Sequence, residues 1–478
     1  MSKYATAAFG SITIHLSIVT SMLIRNIIFA RFLSASDFAV TLTFGLVLSL
    51  FEYISNFGHE NFLQRSQEGG LSRLQATMHS TMIVRGVLVS IGMILIAPFV
   101  PIFLDIKDVD FNYAWLAIVP FLNGFAHLDH QRLHRQHNYM ITARITLIAD
   151  VSSILVALTC ILIWENYWAF YVSFVFRHSV STALSHLFAQ RKYSLALDRQ
   201  HFTSLIKFGA PLLVVGLLKF ISIEFDKAIV ARSTGLEIFA VYVLTLMLLV
   251  NGTNIITLAL SKIFIRRIST SGKDLTKVII DNGLIHCFFL LPLLALLCGI
   301  GENLIQLIFG NQYITVPFLI IIVGAVVGIR SINQWLNQTV IARMPTKLML
   351  MADLFRVFIA LFGVWLVYSN GDVITIAIAF WVSELCYFFC LSLLLNKLTP
   401  ILSTSFRLLS IYAATMACIY LQYAYSFESN IMIKSAFSSL MFIFIAGSFL
   451  LFSATCQNQA LVFVRLVSSR LKRTKPKY

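Results

Sequence analysis

Residues 9–57 read FGSITIHLSIVTSMLIRNIIFARFLSASDFAVTLTFGLVLSLFEYISNF. Two apolar runs, 9–30 and 38–57, flank a polar break at 31–37. Each run is close to the ~20 residues that a helix needs to cross ~30 Å of hydrocarbon. The segment reads as two membrane spans joined by a short turn. One cation, Arg25, sits inside the first span. A cation at a helix centre raises the insertion free energy by roughly 2.5–3.5 kcal/mol, so such residues normally face a bundle interior or a water-filled cavity.

The pattern repeats outward from that hairpin. The 478 residues are 58% hydrophobic and only 12% charged, against about 25% charged in soluble domains. Mean hydropathy is +0.84. The chain is expected to be an all-α polytopic membrane protein. Its runs give about 14 transmembrane helices, near 9–30, 38–57, 77–103, 111–130, 145–163, 167–189, 208–230, 236–260, 278–300, 315–339, 348–368, 373–395, 408–425 and 431–453. The first run has a single preceding lysine and no small-residue cleavage site, so it reads as a retained span.

Alternate connections differ sharply in charge. The 58–76, 131–144, 190–207, 261–277, 341–347 and 396–407 segments and both termini hold about 25 basic residues, against Arg31, Lys107, Arg232 and Lys434 on the other side. By the positive-inside rule both termini are expected in the cytoplasm. The outer connections are short, as in DIKDVD at 105–110 and SNGD at 369–372, and leave no room for an outer catalytic domain.

An internal repeat sets the expected domains. ARFLSASDFAV at 30–40 matches ARSTGLEIFAV at 231–241, and Phe9-Gly10 opens one copy as Phe208-Gly209 opens the other. Six spans per copy make both enter the membrane in the same sense, a parallel repeat. The reading is an N-terminal six-helix lobe at 1–200, a C-terminal six-helix lobe at 201–400, two additional helices at 401–453 and a basic tail at 454–478.

Seven cations fall inside spans: Arg25, Arg85, Arg177, Lys219, Lys227, Arg330 and Arg356. Asp353 lies three residues from Arg356, a helical i,i+3 pairing. Lys227 follows Asp226 near a span end, where its stem can snorkel. No acidic residue lies within four positions of Arg177 or Arg330, and Glu224 is five from Lys219. Arg25, Arg85, Arg177, Lys219 and Arg330 therefore are expected to line a cationic cavity between the lobes. Guanidinium groups suit an anion there because their planar fork engages phosphate or carboxylate through paired hydrogen bonds. The competing reading neutralises each cation with an intramembrane carboxylate, for which Glu52, Asp150, Glu224, Asp226, Asp281, Asp353 and Glu384 are available. Among these, Glu224, Asp226 and Glu384 are candidates for coupling transport to H+ or Na+.

Other chemistry is sparse. HLDHQRLHRQH at 127–137 places His127, His130, His134 and His137 on one expected helical stripe, continuing from span 4. No cysteine or compact carboxylate set completes a zinc site there, so it reads as a polar interfacial face. The seven cysteines have no CxxC pair and read as core-filling side chains. The net charge of +15 is dispersed among the connections and the tail rather than gathered in a nucleic-acid-binding stripe. No GxSxG elbow, Walker loop or HExxH motif points to an enzyme, and no metal or cofactor is expected.

Four segments carry a family resemblance: IRNIIFARFLSASDFAV at 24–40, FGAPLLVVGLLKFISIEFDKAIVAR at 208–232, LIQLIFGNQYITVPFLIIIVG at 304–324 and IARMPTKLML at 341–350. Their order and topological placement resemble the polysaccharide transporter, or O-antigen flippase, family of the multidrug/oligosaccharidyl-lipid/polysaccharide exporter superfamily. The resemblance implies a V-shaped two-lobe transporter of a bacterial inner membrane. It would flip a polyprenyl-pyrophosphate-linked glycan such as an O-antigen repeat unit by alternating access. Arg25 carries over as a lumen residue of helix 1 and Asp226 as the acidic position of helix 7. Membrane lipids and other polysaccharide-assembly proteins are the implied partners. A fourteen-helix count resembles the peptidoglycan-precursor branch, whereas many flippases of the family have twelve. Two alternatives remain: a cation-coupled multidrug exporter of the same superfamily, or a polytopic glycan polymerase or ligase.

Overall fold

The computed structural model describes residues 3–106, 109–270, 274–314, 316–344, 346–367 and 371–426. All regular elements among them are helical. They are α1 (Lys3–Phe32), α2 (Ala35–Ser55), α3 (His59–Arg65), α4 (Ser72–Ile96), α5 (Phe99–Leu104), a 3-10 turn (Tyr113–Ala117), α6 (Ile118–Gly124) and α7 (Asp129–His134). Then come α8 (Met140–Ile161), α9 (Tyr167–Leu187), α10 (Arg199–Ile223), α11 (Phe225–Thr234) and α12 (Leu236–Thr270). The series closes with α13 (Leu275–Phe309), α14 (Leu319–Arg343), α15 (Thr346–Val367), α16 (Val373–Asn396) and α17 (Leu402–Ser426). Ten of the described helices are long and apolar enough to cross a membrane. The span expected at 431–453 and the basic tail at 454–478 lie outside the described residues.

Three expected spans are interrupted. The run at 77–103 becomes α4 and α5, with Pro98 at the junction and Pro101 in the first turn of α5, where a proline has no N–H for the helical ladder. The run at 111–130 is a 3-10 turn followed by the short α6. The run at 208–230 is divided at Glu224 into α10 and α11.

By packing, the chain forms two compact units. One contains residues up to Ala240 together with Ile308–Tyr313, and the other Val241–Leu307 with the residues from Ile314 onward. The repeat places the start of the second copy near 201, while packing assigns α10 and α11 to the first unit. In that unit α8 lies between α1 and α9, α4 packs on α6, and α10 packs on α2. Glycines permit the closest approaches. A Cβ on Gly86 would meet Pro120 O at 2.8 Å and Gly124 Cα at 2.9 Å, and one on Gly216 would collide with the Tyr53 backbone. Small residues at such crossings let helices gain dispersion contacts in lipid, where the hydrophobic effect gives no drive. In the second unit α14 is the most enclosed helix, packed on α16, which also packs on α15.

The repeated Ala-Arg pair performs one task twice. Arg31 Nε donates to Ile308 O at 2.9 Å, next to the end of α13. Arg232 Nη1 donates to Phe103 O at 2.6 Å, next to the end of α5. Each arginine thus satisfies carbonyls that a helix end leaves without intrahelical partners. The turn after α13 also grips the first hairpin: Gln312 Nε2 donates to Ala30 O at 2.6 Å and to Leu33 O at 3.0 Å, and Tyr313 OH donates to Ala30 O at 3.1 Å.

The histidine-rich segment differs from its expected single stripe. The chain leaves the helix after Gly124 and re-enters at Asp129, so only His130 and His134 lie on α7, while His137 has a positive φ of 60°. His127 instead turns inward beside the rings of His79, His186 and Tyr193. Among the described residues no group of three or more His, Cys, Asp or Glu is placed to hold a metal ion. Burial pushes the His134 imidazole down to about 4, and burial together with neighbouring His134 does the same for His130. Relative to an unfolded value of ~6.5, depressed histidines stabilise the fold above that value and lose this contribution as pH falls. Amide exchange at 127–139, corrected for its intrinsic rate, should therefore quicken as pH drops from ~6.5 toward 4, relative to α14. A flat corrected profile would contradict this assignment.

Candidate functional site

In the first unit a polar seam crosses α1, α8 and α9. Asp150 of α8 is 1% exposed and therefore requires partners. Arg177 Nε of α9 donates to its Oδ1 at 2.6 Å, and Ser17 Oγ of α1 donates to its Oδ2 at 3.0 Å. Arg25 lies within electrostatic range of both Asp150 and Arg177. Its guanidinium sits 5.4 Å from the ring centroids of both Phe170 and Phe174, and its buried Nε has no hydrogen-bond partner. Cation–π contact replaces part of the hydration that Arg25 loses.

The seam continues into a cavity. Phe174 lies 4.8 Å from the ring of His178, whose Nδ1 is 3.0 Å from Asn123 Oδ1. These three residues, with Glu52, Ser55 and Arg85, line a space of about 120 Å³. Arg85 donates through Nε and Nη2 to Ser55 Oγ at 3.2 and 3.0 Å. The seam and cavity hold three guanidiniums, Arg25, Arg85 and Arg177, with the carboxylates Asp150 and Glu52, and Glu60 lies within electrostatic range of Arg85, so the charges match by count.

The second unit holds a different cluster. Glu384 of α16 receives Arg330 Nε of α14 at 3.0 Å and faces Arg356 Nη1 of α15 at 3.5 Å. Asn333 Nδ2 donates to Glu384 Oε2 at 3.0 Å. Arg356 also meets Asp353 at 3.2 Å and stacks 4.3 Å from the Tyr387 ring centroid. Two arginines meet two carboxylates, so this network balances.

The expected cavity residues thus fall into separate surroundings. Arg25, Arg85 and Arg177 share one unit and adjoining features. Lys219 is exposed on α10 of that unit, and Arg330 belongs to the balanced network of the other. Of the candidate coupling groups, Glu384 anchors that network. Glu224 accepts from Lys227 Nζ at 2.6 Å, and Asp226 is fully buried with its carboxylate accepting from Lys227 N at 2.9 Å. The Arg356–Asp353 pair is present as its spacing predicts. Arg177–Asp150 and Arg330–Glu384 join residues 27 and 54 positions apart, beyond any local periodicity. Only the inventory of intramembrane carboxylates pointed toward them.

This arrangement of apolar helices around buried ion pairs defines a polytopic membrane protein with the fold of multidrug/oligosaccharidyl-lipid/polysaccharide transporters. The chain is similar to the lipid II flippase MurJ in its inward closed conformation, at 15% identity and a TM-score of 0.70, covering 93% of this chain and 99% of that one. A mutant of the Vibrio cholerae MATE transporter VcmN aligns at 12% identity and a TM-score of 0.57, covering 83% and 97%. A MOP-superfamily transporter from Pyrococcus furiosus, described for the reverse polarity of its binding pocket, aligns at 13% identity and a TM-score of 0.50, covering 83% and 97%. No curated protein matches the sequence. The profile of the family described as "Polysaccharide biosynthesis protein" matches residues 28–318, and the chain belongs to that family.

Removing one partner from a buried ion network leaves an uncompensated charge and costs ~3–5 kcal/mol. Glu384→Gln should accordingly lower the thermal unfolding midpoint in detergent far more than Glu237→Gln at an exposed position. Equal midpoints for the two variants would refute the anchoring role of Glu384.

Proposed function

We propose that this protein flips a polyprenyl-pyrophosphate-linked glycan, such as an O-antigen or other surface-polysaccharide repeat unit, across a bacterial inner membrane by alternating access. The observation that carries the reading is Arg25, a buried guanidinium beside the Arg177–Asp150 pair whose Nε has no hydrogen-bond partner. Family membership over residues 28–318 and the fold shared with the lipid II flippase support the same substrate class.

The physical task is to carry sugar hydroxyls and pyrophosphate charge past hydrocarbon while the polyprenyl tail stays in lipid. Fixed guanidiniums replace the water that the phosphates lose, and they are already oriented by Asp150, Ser55 and the aromatic rings. Of the three seam and cavity arginines Arg25 is the best placed for an incoming anion, because its Nε has no hydrogen-bond partner and the carboxylate in range, Asp150, is held by Arg177. Lys219, exposed on the same unit, would add attraction, and Arg330 would contribute by orienting α14. In this reading 1–200 and 201–400 are the two copies that rock during transport, and both termini lie in the cytoplasm. No cofactor is required. Drive would come from H+ or Na+ exchange at Asp226, Glu224 or Glu384, or from the substrate gradient.

The MATE-like fold favours a second reading as a cation-coupled multidrug exporter, with Glu52 in the cavity wall as its supporting feature. Complementation separates the two. In a strain lacking its own glycan flippase, the parent should restore surface glycan. Arg25→Gln should reduce it by about tenfold or more, the factor that ~1.4 kcal/mol of lost anion binding produces, at unchanged membrane levels, whereas Arg177→Gln strips the buried Asp150 of its partner and should lower membrane levels as well. Full restoration by the double variant would overturn the anion-cavity reading, and drug resistance without glycan restoration would favour the exporter.

A further inference from the structure

A second cationic cavity lies away from the seam, between the start of α4 and the loop joining α9 to α10. That loop reads RKYSLALD at 191–198. Its backbone is held by buried side chains rather than left to solvent. Gln190 N donates to Asp129 Oδ2 at 2.8 Å, and Asp198 N donates to Thr77 Oγ1 at 3.2 Å. His127 Nε2 donates to Arg191 O at 3.0 Å, and its Nδ1 accepts from Asp129 N at 3.1 Å. His79 Nδ1 donates to Ser194 O at 3.1 Å, and its Nε2 accepts from Leu128 N at 3.1 Å. With one nitrogen donating and one accepting, both imidazoles are neutral and serve as fixed posts. The Tyr193 ring stacks 4.3 Å from His79.

This framework presents Arg191 and Lys192 to an open cavity of about 440 Å³, lined also by Ser72, Gln75 and Ser194. Gln75 Oε1 holds Arg191 Nη1 at 3.3 Å. The lining has two cations, two hydroxyls and an amide, but no carboxylate. The loop's own acid, Asp198, is engaged by Arg73 at 2.9 Å. Ser72 opens α4, whose N-cap, Leu71, supplies no capping side chain. The first-turn N–H groups therefore add positive potential to the same space.

Outward leucines flank the lining residues along the chain: Leu71 is 51% exposed, Leu195 57% and Leu197 69%. Cations flanked by outward leucines match a phosphate headgroup whose acyl chains continue into the bilayer. We propose that this cavity binds the phosphate of an anionic membrane lipid in the leaflet at this end of the first unit. The site is separate from the transport seam and does not depend on the flippase reading.

The test uses the full chain in detergent, with native mass spectrometry and thermal unfolding read in parallel. Phosphatidylglycerol should bind and raise the unfolding midpoint more than phosphatidylcholine does. The Arg191→Gln/Lys192→Gln variant should lose affinity on the order of 30-fold, from about 1 kcal/mol per basic residue. Arg191→Lys/Lys192→Arg should retain it, separating loss of charge from misfolding. Arg199→Gln/Lys207→Gln, which removes exposed α10 cations outside the cavity, should change affinity little. Undiminished phosphatidylglycerol binding by the first variant would overturn the site, as would equal losses in both Gln variants. Inorganic phosphate protecting the parent as well as the lipid, at equal phosphate concentration, would overturn its assignment to a lipid.

Discussion

One buried carboxylate organises the first unit. Asp150 lies on an apolar helix with 1% of its surface exposed, where an unpaired charge would cost several kcal/mol. Its two oxygens are taken by Arg177 and Ser17, so the charge joins α9, α8 and α1 in one geometry. Arg177 is thereby fixed, and Arg25 is left to the faces of Phe170 and Phe174. The pairing therefore stabilises the helix contacts and also leaves a neighbouring guanidinium incompletely satisfied. Glu384 holds α14, α15 and α16 together by the same physics, with Arg330 and Arg356 both engaged by carboxylates.

The contrast gives the charged residues different tasks. A neutral network deep in a unit is a staple whose loss chiefly destabilises. Arg25, faced by the rings of Phe170 and Phe174 and close to a polar cavity, retains capacity for a ligand. Transport also requires that binding remain moderate, and Asp150, Glu52 and Glu60 near the three arginines limit the attraction. A cavity lined by unopposed arginines would hold pyrophosphate too tightly to release it.

Much of the fold was legible in run length alone, because backbone groups in hydrocarbon must satisfy each other within helices. The hairpin at 9–57 appears as α1 and α2 with small shifts at its ends. Interruptions were harder to see: the prolines at 98 and 101 mark one break, but the division at Glu224 has no proline or glycine beside it. In the site, Asp353 and Arg356 were legible because three residues make almost one helical turn. Asp150 and Arg177 were not, since helix packing rather than sequence spacing brings them together. The histidine stripe was misleading for a related reason. A helical projection assumes a continuous helix, whereas the chain unwinds between Gly124 and Asp129 and sends His127 inward. The duplicated Ala-Arg pair was visible as a repeat, yet its shared role at helix ends required coordinates.

Translocation in proteoliposomes containing purified protein tests the central claim most directly. A fluorescent polyprenyl-pyrophosphate glycan would be compared with an uncharged polyprenyl glycan of the same sugars, using chemical quenching to report the exposed leaflet. The account predicts rapid movement of the pyrophosphate substrate by the parent, little movement of the uncharged analogue, and loss of that preference in Arg25→Gln. Equal transport of both substrates, or an unchanged preference in Arg25→Gln, would contradict it.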